Sequence, residues 1–240
     1  MTPLSTSLRE AMAKQTSPEK ISVFSRFFKT GPGQYGEGDL FWGLSVPTVR
    51  ALVKPHTHPS LDDINNLLSD PIHEVRLAGG LLLVNGYQKA KGAAKEPFYT
   101  CYMANTTRFN NWDLVDLTCY NVAGDWLFKR DRSPLFALAD SENLWEQRIA
   151  IISTMYFIRK GDYSTTLELA DKLLHHPHDL MHKAVGWMLR EVGKRDIDVE
   201  KAFMLHDNRY RTMPRTMLRY AIERFPEPER LQFLKGTASR

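Results

Sequence analysis

The chain has 240 residues, 42% hydrophobic and 25% charged, which supplies a packed core and excludes a disordered polyelectrolyte. Its formal net charge is +4, and from Leu205 to Arg240 eight Lys/Arg stand against four Asp/Glu, so the C-terminal end carries the excess and favours a polyanion, above all nucleic acid. Cys101 and Cys119 are the only cysteines, which excludes a disulfide scaffold and reads as two buried thiols in a reducing compartment. The start, Met1 to Thr6, has no basic and apolar leader pattern, and the longest apolar run, Leu81 to Val84, is far too short to span a bilayer. The expectation is a cytoplasmic, soluble protein with no membrane partner.

Nearly every long segment has helical periodicity and almost none alternates as a strand. In chain order, helices are predicted over about 7–15, 18–29, 46–54, 60–69, 72–90 and 93–107. They continue over about 112–131, 143–160, 163–175, 178–194, 197–206 and 213–225. Ser17-Pro18-Glu19, Ser45-Val46-Pro47 and Ser60-Leu61-Asp62-Asp63 each place a Ser before Pro or acids, where the free N–H groups of a first turn need acceptors. Pro55, Pro71, Gly161 and Pro177 mark stops. The helices pair at a period of roughly 35 to 40 residues, the spacing of two-helix repeats, which predicts an all-α solenoid in one domain over 1–240. A globular helical bundle is the rival. The stretch Thr30 to Gly38 is Gly-rich but lacks the strand-then-helix setting of a phosphate loop and reads as a mobile connector.

Three helical segments each set a flat aromatic beside a charge. Trp112 and Asp116 are four apart, Trp145 and Arg148 three apart, and Trp187 and Arg190 three apart, so each pair shares a helix face. A carboxylate at Asp116 beside Trp112 suits stabilisation of a developing cation or positioning of a water. The plainer reading is an acid favoured by the helix dipole, which suits first-turn Asp113 better than Asp116. Trp145 reads as core. Arg215 and Arg219, four apart, form a basic edge that suits a phosphate track. His175, His176 and His178 straddle Pro177 but have no acid or thiol partner at a ligand spacing, so they read as a solvated C-terminal turn and no metal is expected. His73-Glu74 is not an HExxH pair.

At these residues the chain resembles the AlkD family of DNA alkylation-repair glycosylases, built from HEAT-like repeats. The resemblance runs from Pro18-Glu19-Lys20 through Gly43-Leu44-Ser45-Val46-Pro47-Thr48-Val49-Arg50 and Asn111-Trp112-Asp113-Leu114-Val115-Asp116. It continues through Leu144-Trp145-Glu146-Gln147-Arg148, Lys183-Ala184-Val185-Gly186-Trp187-Met188-Leu189-Arg190-Glu191 and Met213 to Ala221. The order and spacing of these blocks are specific.

The resemblance implies a solenoid whose concave face holds duplex DNA by its backbone. It implies that Asp116 is the catalytic aspartate, that Trp112 and Trp187 pack against the deoxyribose of the lesion, and that Arg148 is the basic residue beside the aspartate. Ser45, Lys183 and Arg190 lie in matching blocks and, with Arg215 and Arg219, are the expected DNA contacts. The implied activity is removal of cationic N3- and N7-alkylpurines by a monomer without cofactor or base-flipping pocket. Such a lesion is already a good leaving group, so a carboxylate facing the oxocarbenium-like sugar, with tryptophan faces beside it, suffices. Two departures stand out. Phe27 stands where some relatives have Tyr, and the Gly31 to Gly38 loop is long. The competing expectations are a catalytically silent DNA-binding relative and a HEAT-type protein scaffold, the latter calling for an apolar groove rather than tryptophans beside charges.

Overall fold

A computed structural model describes residues 3–239. The regular structure among these residues is helical, joined by one isolated parallel bridge between Leu40 and Ile72. Contacts gather in two compact units that divide between Trp126 and Leu127. The first holds α1 (Pro3–Ala13), α2 (Pro18–Phe27), α3 (Val46–Val53), α4 (Leu61–Leu68), α5 (His73–Lys89), α6 (Glu96–Ala104) and α7 (Trp112–Cys119). A short α8 (Asp125–Leu127) follows at the division. The second holds α9 (Ser133–Ala139), α10 (Leu144–Ser153), α11 (Met155–Arg159), α12 (Ser164–Lys172) and α13 (Asp179–Gly193). It ends with α14 (Ile197–Leu205), α15 (Arg209–Thr212), α16 (Arg215–Ala221) and α17 (Glu227–Lys235). The all-α expectation holds, with helices stacked on their chain neighbours in the manner of a helical repeat.

The start signals work through different physics. Ser45 accepts the Thr48 N–H at 3.3 Å, with Pro47 in the first turn of α3. Ser60 and Asp63 form a reciprocal capping box at the start of α4, which satisfies donors that the helix cannot. Ser17 does not cap α2; its hydroxyl turns to Glu19, and Pro18 alone sets the start. The segment predicted as one helix over 112–131 is broken by a π-turn at Tyr120–Gly124. Helices α9, α15 and α17 escape the periodicity. The first two span seven and four residues, and α17 buries only Phe233.

Each unit is organised on one central helix. In the first, α5 packs on α3, α4, α6 and α7 and is buried from His73 to Val84, so no polar face is left for a periodic signal. In the second, α13 packs on α10, α12, α14 and α16. Trp145 is buried in that core, and both cysteines are buried thiols. The Thr30–Gly38 connector is more ordered than its glycines suggest. Gly31 N–H donates to Gln34 Oε1 at 3.0 Å, Gly33 N–H to Glu37 Oε2 at 2.7 Å, and Gly36 N–H to the Lys29 carbonyl at 3.0 Å. The Tyr35 hydroxyl reaches the Phe27 carbonyl at 3.4 Å, so this loop backs the end of α2.

Candidate active site and nucleic-acid interface

The first unit contains a cleft of about 370 Å³ between α2, α3, α5 and α7, lined by Phe24, Phe27, Phe28, Ser45, Trp112 and Asp116 among others. Sequence spacing placed Trp112 and Asp116 on one helix face, and the structure puts both on this cleft together with Ser45. The Asn111 side chain accepts the Trp112 N–H at 2.9 Å and caps α7. Trp112 and Asp116 are each half-buried. The Trp112 ring stacks on Phe28 at 5.4 Å and meets Phe27 edge-on at 5.7 Å. Phe28 is buried, whereas Phe27 is 60% exposed at the rim of the cleft.

Beneath the aromatics lies a buried charge network that the sequence did not reveal. His73 opens α5, and its Nδ1 lies 2.8 Å from Asp39 while its Nε2 lies 2.9 Å from Asp113. Burial alone would lower the His73 pKa, but the charges and hydrogen bonds of Asp113 and Asp39 overcome it and raise the pKa to about 9. The ring is therefore an imidazolium at neutral pH and donates to both carboxylates. Burial would raise the Asp39 carboxyl, yet the His73 hydrogen bond and the neighbouring Arg76 guanidinium hold it below its ordinary value. The His73 ring also stacks on Phe41 at 4.6 Å and lies 4.9 Å from Phe28. A continuous column, Phe41 and His73 then Phe28 then Trp112, thus supports the cleft.

Glu74, the next residue of α5, anchors the entry to α3. Its carboxylate accepts the N–H groups of Trp42 at 3.0 Å, Gly43 at 2.8 Å and Leu44 at 3.1 Å. That convergence requires Gly43, which sits at φ +79°, and a Cβ there would lie 2.5 Å from the Ser17 carbonyl. The anchored turn delivers Ser45 and Pro47 to the cleft wall. Three carboxylates border the cleft, and their burial separates them. Glu74 is 1% and Asp113 4% exposed, both engaged below the surface, whereas Asp116 is the one partly open to the cleft. Asp113, which reads from sequence as a dipole-favoured acid, is the clamp on His73.

The second unit carries the other expected residues. Trp187 is half-buried on α13. Arg148 is only 5% exposed, and its Nη1 donates to the Leu180 carbonyl at 2.7 Å, tying α10 to the start of α13. Arg190 pairs with Glu223 and leaves its buried Nε–H unsatisfied. Lys183 forms an i,i+4 pair with Asp179 at 2.8 Å. Arg215 and Arg219 are exposed along α16. Of the three histidines, His175 is exposed in the turn after α12, whereas the other two are engaged. His178 Nδ1 accepts the Leu180 N–H at 3.1 Å and caps α13, while His176 Nε2 meets Gln147 at 2.8 Å. Burial is the main cause that lowers the pKa of both rings. Among the described residues no group of three or more His, Cys, Asp or Glu is arranged to hold a metal ion, and no helix is long and apolar enough to cross a membrane.

The family model of the DNA alkylation repair enzyme matches residues 8–225. A solved structure described as a predicted DNA alkylation repair enzyme from Enterococcus faecalis is similar with a TM-score of 0.69. That match is 18% identical in sequence and covers 88% of this chain and 97% of the other. At that identity the likeness shows a common fold. No curated protein matches the chain.

Proposed function

Because this chain belongs to the DNA alkylation repair enzyme family, we propose that it is a DNA glycosylase acting on cationic N3- and N7-alkylated purines in duplex DNA. The observation that carries the reading is the placement of Asp116. It is the least buried of the three carboxylates on an aromatic cleft, where Glu74 is 1% and Asp113 4% exposed.

The chemistry follows from the charge of the lesion. Alkylation leaves the purine positive, so breaking its bond to C1′ releases a neutral base and shifts the positive charge to the sugar. Asp116 opposes that charge where apolar walls exclude much of the water, which strengthens the attraction. The faces of Trp112 and Phe27 add attraction to the cation. Water then adds to C1′ and loses one proton, leaving an abasic sugar. No acid is needed for the leaving base. In the second unit, Trp187, Lys183, Arg215 and Arg219 are assigned to the DNA, with exposed ion pairs such as Lys183 with Asp179 exchanging one anion for another at little cost. The buried Arg148 and the paired Arg190 act by ordering α10, α13 and α16.

The decisive measurement is single-turnover release of N7-methylguanine from alkylated duplex DNA by wild type and Asp116→Asn. Asn keeps the shape and removes the charge. Loss of one such preorganised interaction typically costs on the order of 10²–10³ in rate, and the lability of this bond puts the expectation at the lower end. Rates within about twofold of each other overturn the assignment of Asp116. No release by wild type leaves a silent DNA-binding relative, and affinity for DNA that ignores salt leaves a protein scaffold.

A further inference from the structure

A second cleft, of about 450 Å³, lies between α3 and α5 and is lined by Arg50, Lys54, Thr57, Asn85, Gln88 and Lys89 around a buried aliphatic floor. Three features set it apart. No carboxylate lines it, and among the described residues none pairs with Arg50, Lys54 or Lys89, in contrast to Lys95, Arg132 and Arg209, which are held by Asp125, Asp162 and Asp171. Its polar side chains are donors of the kind that bind phosphate oxygens: one guanidinium, two ammonium groups, two amides and a hydroxyl. No aromatic ring lines it, so nothing there stacks on a base.

Position adds a fourth argument. The candidate active cleft and this one share the same two walls. On α3, Ser45 and Pro47 border the first cleft, and Arg50 and Lys54 border the second. On α5, Leu77 borders the first, and Asn85, Gln88 and Lys89 border the second. At about 1.5 Å per helical residue, Lys54 stands roughly 13 Å along α3 from Ser45. That is about four nucleotides of one strand at ~3.4 Å each.

We propose that this cleft binds the phosphodiester backbone of the DNA strand that lies two to four nucleotides from the damaged nucleoside. The naming of DNA rests on the proposed function; the preference for phosphate rests on the cleft. Unpaired, like-signed cations around one concavity repel one another and gain most from an anion that bridges them. Without a stacking ring or a carboxylate, the site has no platform for an unstacked nucleobase and no anionic ligand for a metal ion, and its clustered cations fit backbone phosphate best.

The test is the salt dependence of binding to undamaged duplex DNA by wild type, Lys54→Gln/Lys89→Gln and Lys54→Arg/Lys89→Arg, with base release from alkylated duplex measured in parallel. All substituted side chains are exposed, and unchanged thermal melts establish that the variants fold. The glutamine pair is expected to lower the slope of log affinity against log salt by about one per lost phosphate contact, or about two in all. The arginine pair is expected to keep the wild-type slope. Methylphosphonate linkages two to four nucleotides from the lesion are expected to weaken wild type and leave the glutamine pair unaffected. Equal slopes for wild type and the glutamine pair overturn the proposal while leaving glycosylase activity standing. A lowered slope in a protein that releases no base overturns the glycosylase and leaves the phosphate site standing. Inorganic phosphate bound at the cleft together with unchanged DNA slopes assigns the site to a free anion and overturns its role on DNA.

Discussion

His73 holds Asp113 across 2.9 Å, and Asp113 lies between Trp112 and the turn that ends at Asp116. The clamp therefore fixes the start of α7, and the stacked column through Phe28 fixes the face of Trp112. The cleft owes its geometry in part to a cation that is almost wholly buried in its floor.

That cation makes stability depend on pH. His73 has an ordinary pKa of 6.5, raised in the folded state to about 9. A raised histidine contributes its full stabilisation below about pH 6.5 and loses it as pH rises through about 9. The shift corresponds to on the order of 3 kcal/mol. Wild-type stability is expected to fall between pH 7 and 9.5, and His73→Gln, less stable at pH 7, is expected to lack that part of the fall. Denaturant titrations of both proteins across this range check it. Parallel pH profiles would show that His73 is neutral in the folded protein.

The sequence exposed what depends on local spacing and concealed what depends on contacts between distant segments. Trp112 and Asp116 share a helix face, and four residues of separation is enough to see it. The clamp of Asp39, His73 and Asp113 spans 34 and 40 residues, and no local pattern connects them. Glu74 was equally silent, because the three N–H groups it holds lie 30 to 32 residues before it. The ends of α5 were legible to within a residue, the first of them marked by Pro71. The π-turn at Tyr120–Gly124 was not, because apolar periodicity runs through it. His176 and His178 were placed at the end of one helix, when the hydrogen-bond acceptor of His178 serves the beginning of the next.

Trp112 is expected to act through its ring face. Trp112→Ala removes the partner of both Phe27 and Phe28 and one wall of attraction for a cationic nucleoside. A contact of this kind is worth on the order of 1–2 kcal/mol, so single-turnover base release should slow roughly 10-fold. Trp112→Phe should recover part of it. Because Trp112 is half-buried at the cleft, the fold should persist, which a thermal melt checks. An alanine variant as fast as wild type would leave Trp112 a packing residue only.

Gly186 is expected to be intolerant of any side chain. It lies where α13 meets α16, and a Cβ would stand 2.5 Å from the Met217 carbonyl and 2.6 Å from the Tyr220 Cβ. Backbone at that distance cannot rotate away, so Gly186→Ala must separate the two helices, at a cost of about 1–3 kcal/mol. In a helix with room, the same change would stabilise by roughly 1 kcal/mol. The denaturant midpoint therefore moves in opposite directions under the two cases, and an increase would refute the close approach.

Glu200 is expected to limit stability at neutral pH. It is 1% exposed on α14, its Oε1 lacks a hydrogen bond among the described residues, and burial, opposed by the charge of Arg190, raises its pKa to about 9. The carboxyl is therefore protonated in the folded state at pH 7 and ionised in the unfolded state, where its ordinary value is 4.5. Folding must take up a proton, so this residue contributes nothing unfavourable below about pH 4.5 and costs progressively more as pH rises toward 9. At pH 7 the cost is on the order of 3 kcal/mol. Glu200→Gln has nearly the same shape and no proton to take up. Its buried amide must still find partners, which offsets about 1–3 kcal/mol of the gain. The net expectation is a variant more stable than wild type at pH 7, by about 1 kcal/mol, with the advantage growing toward pH 9 and reversing below about pH 6, where the buried amide outweighs the smaller gain. Urea titrations of the two proteins at pH 5, 7 and 9 read this directly. His73, present in both proteins, cancels in the difference. An advantage that stays constant with pH would show that Glu200 is ionised in the folded protein, with Arg190 as its counter-ion.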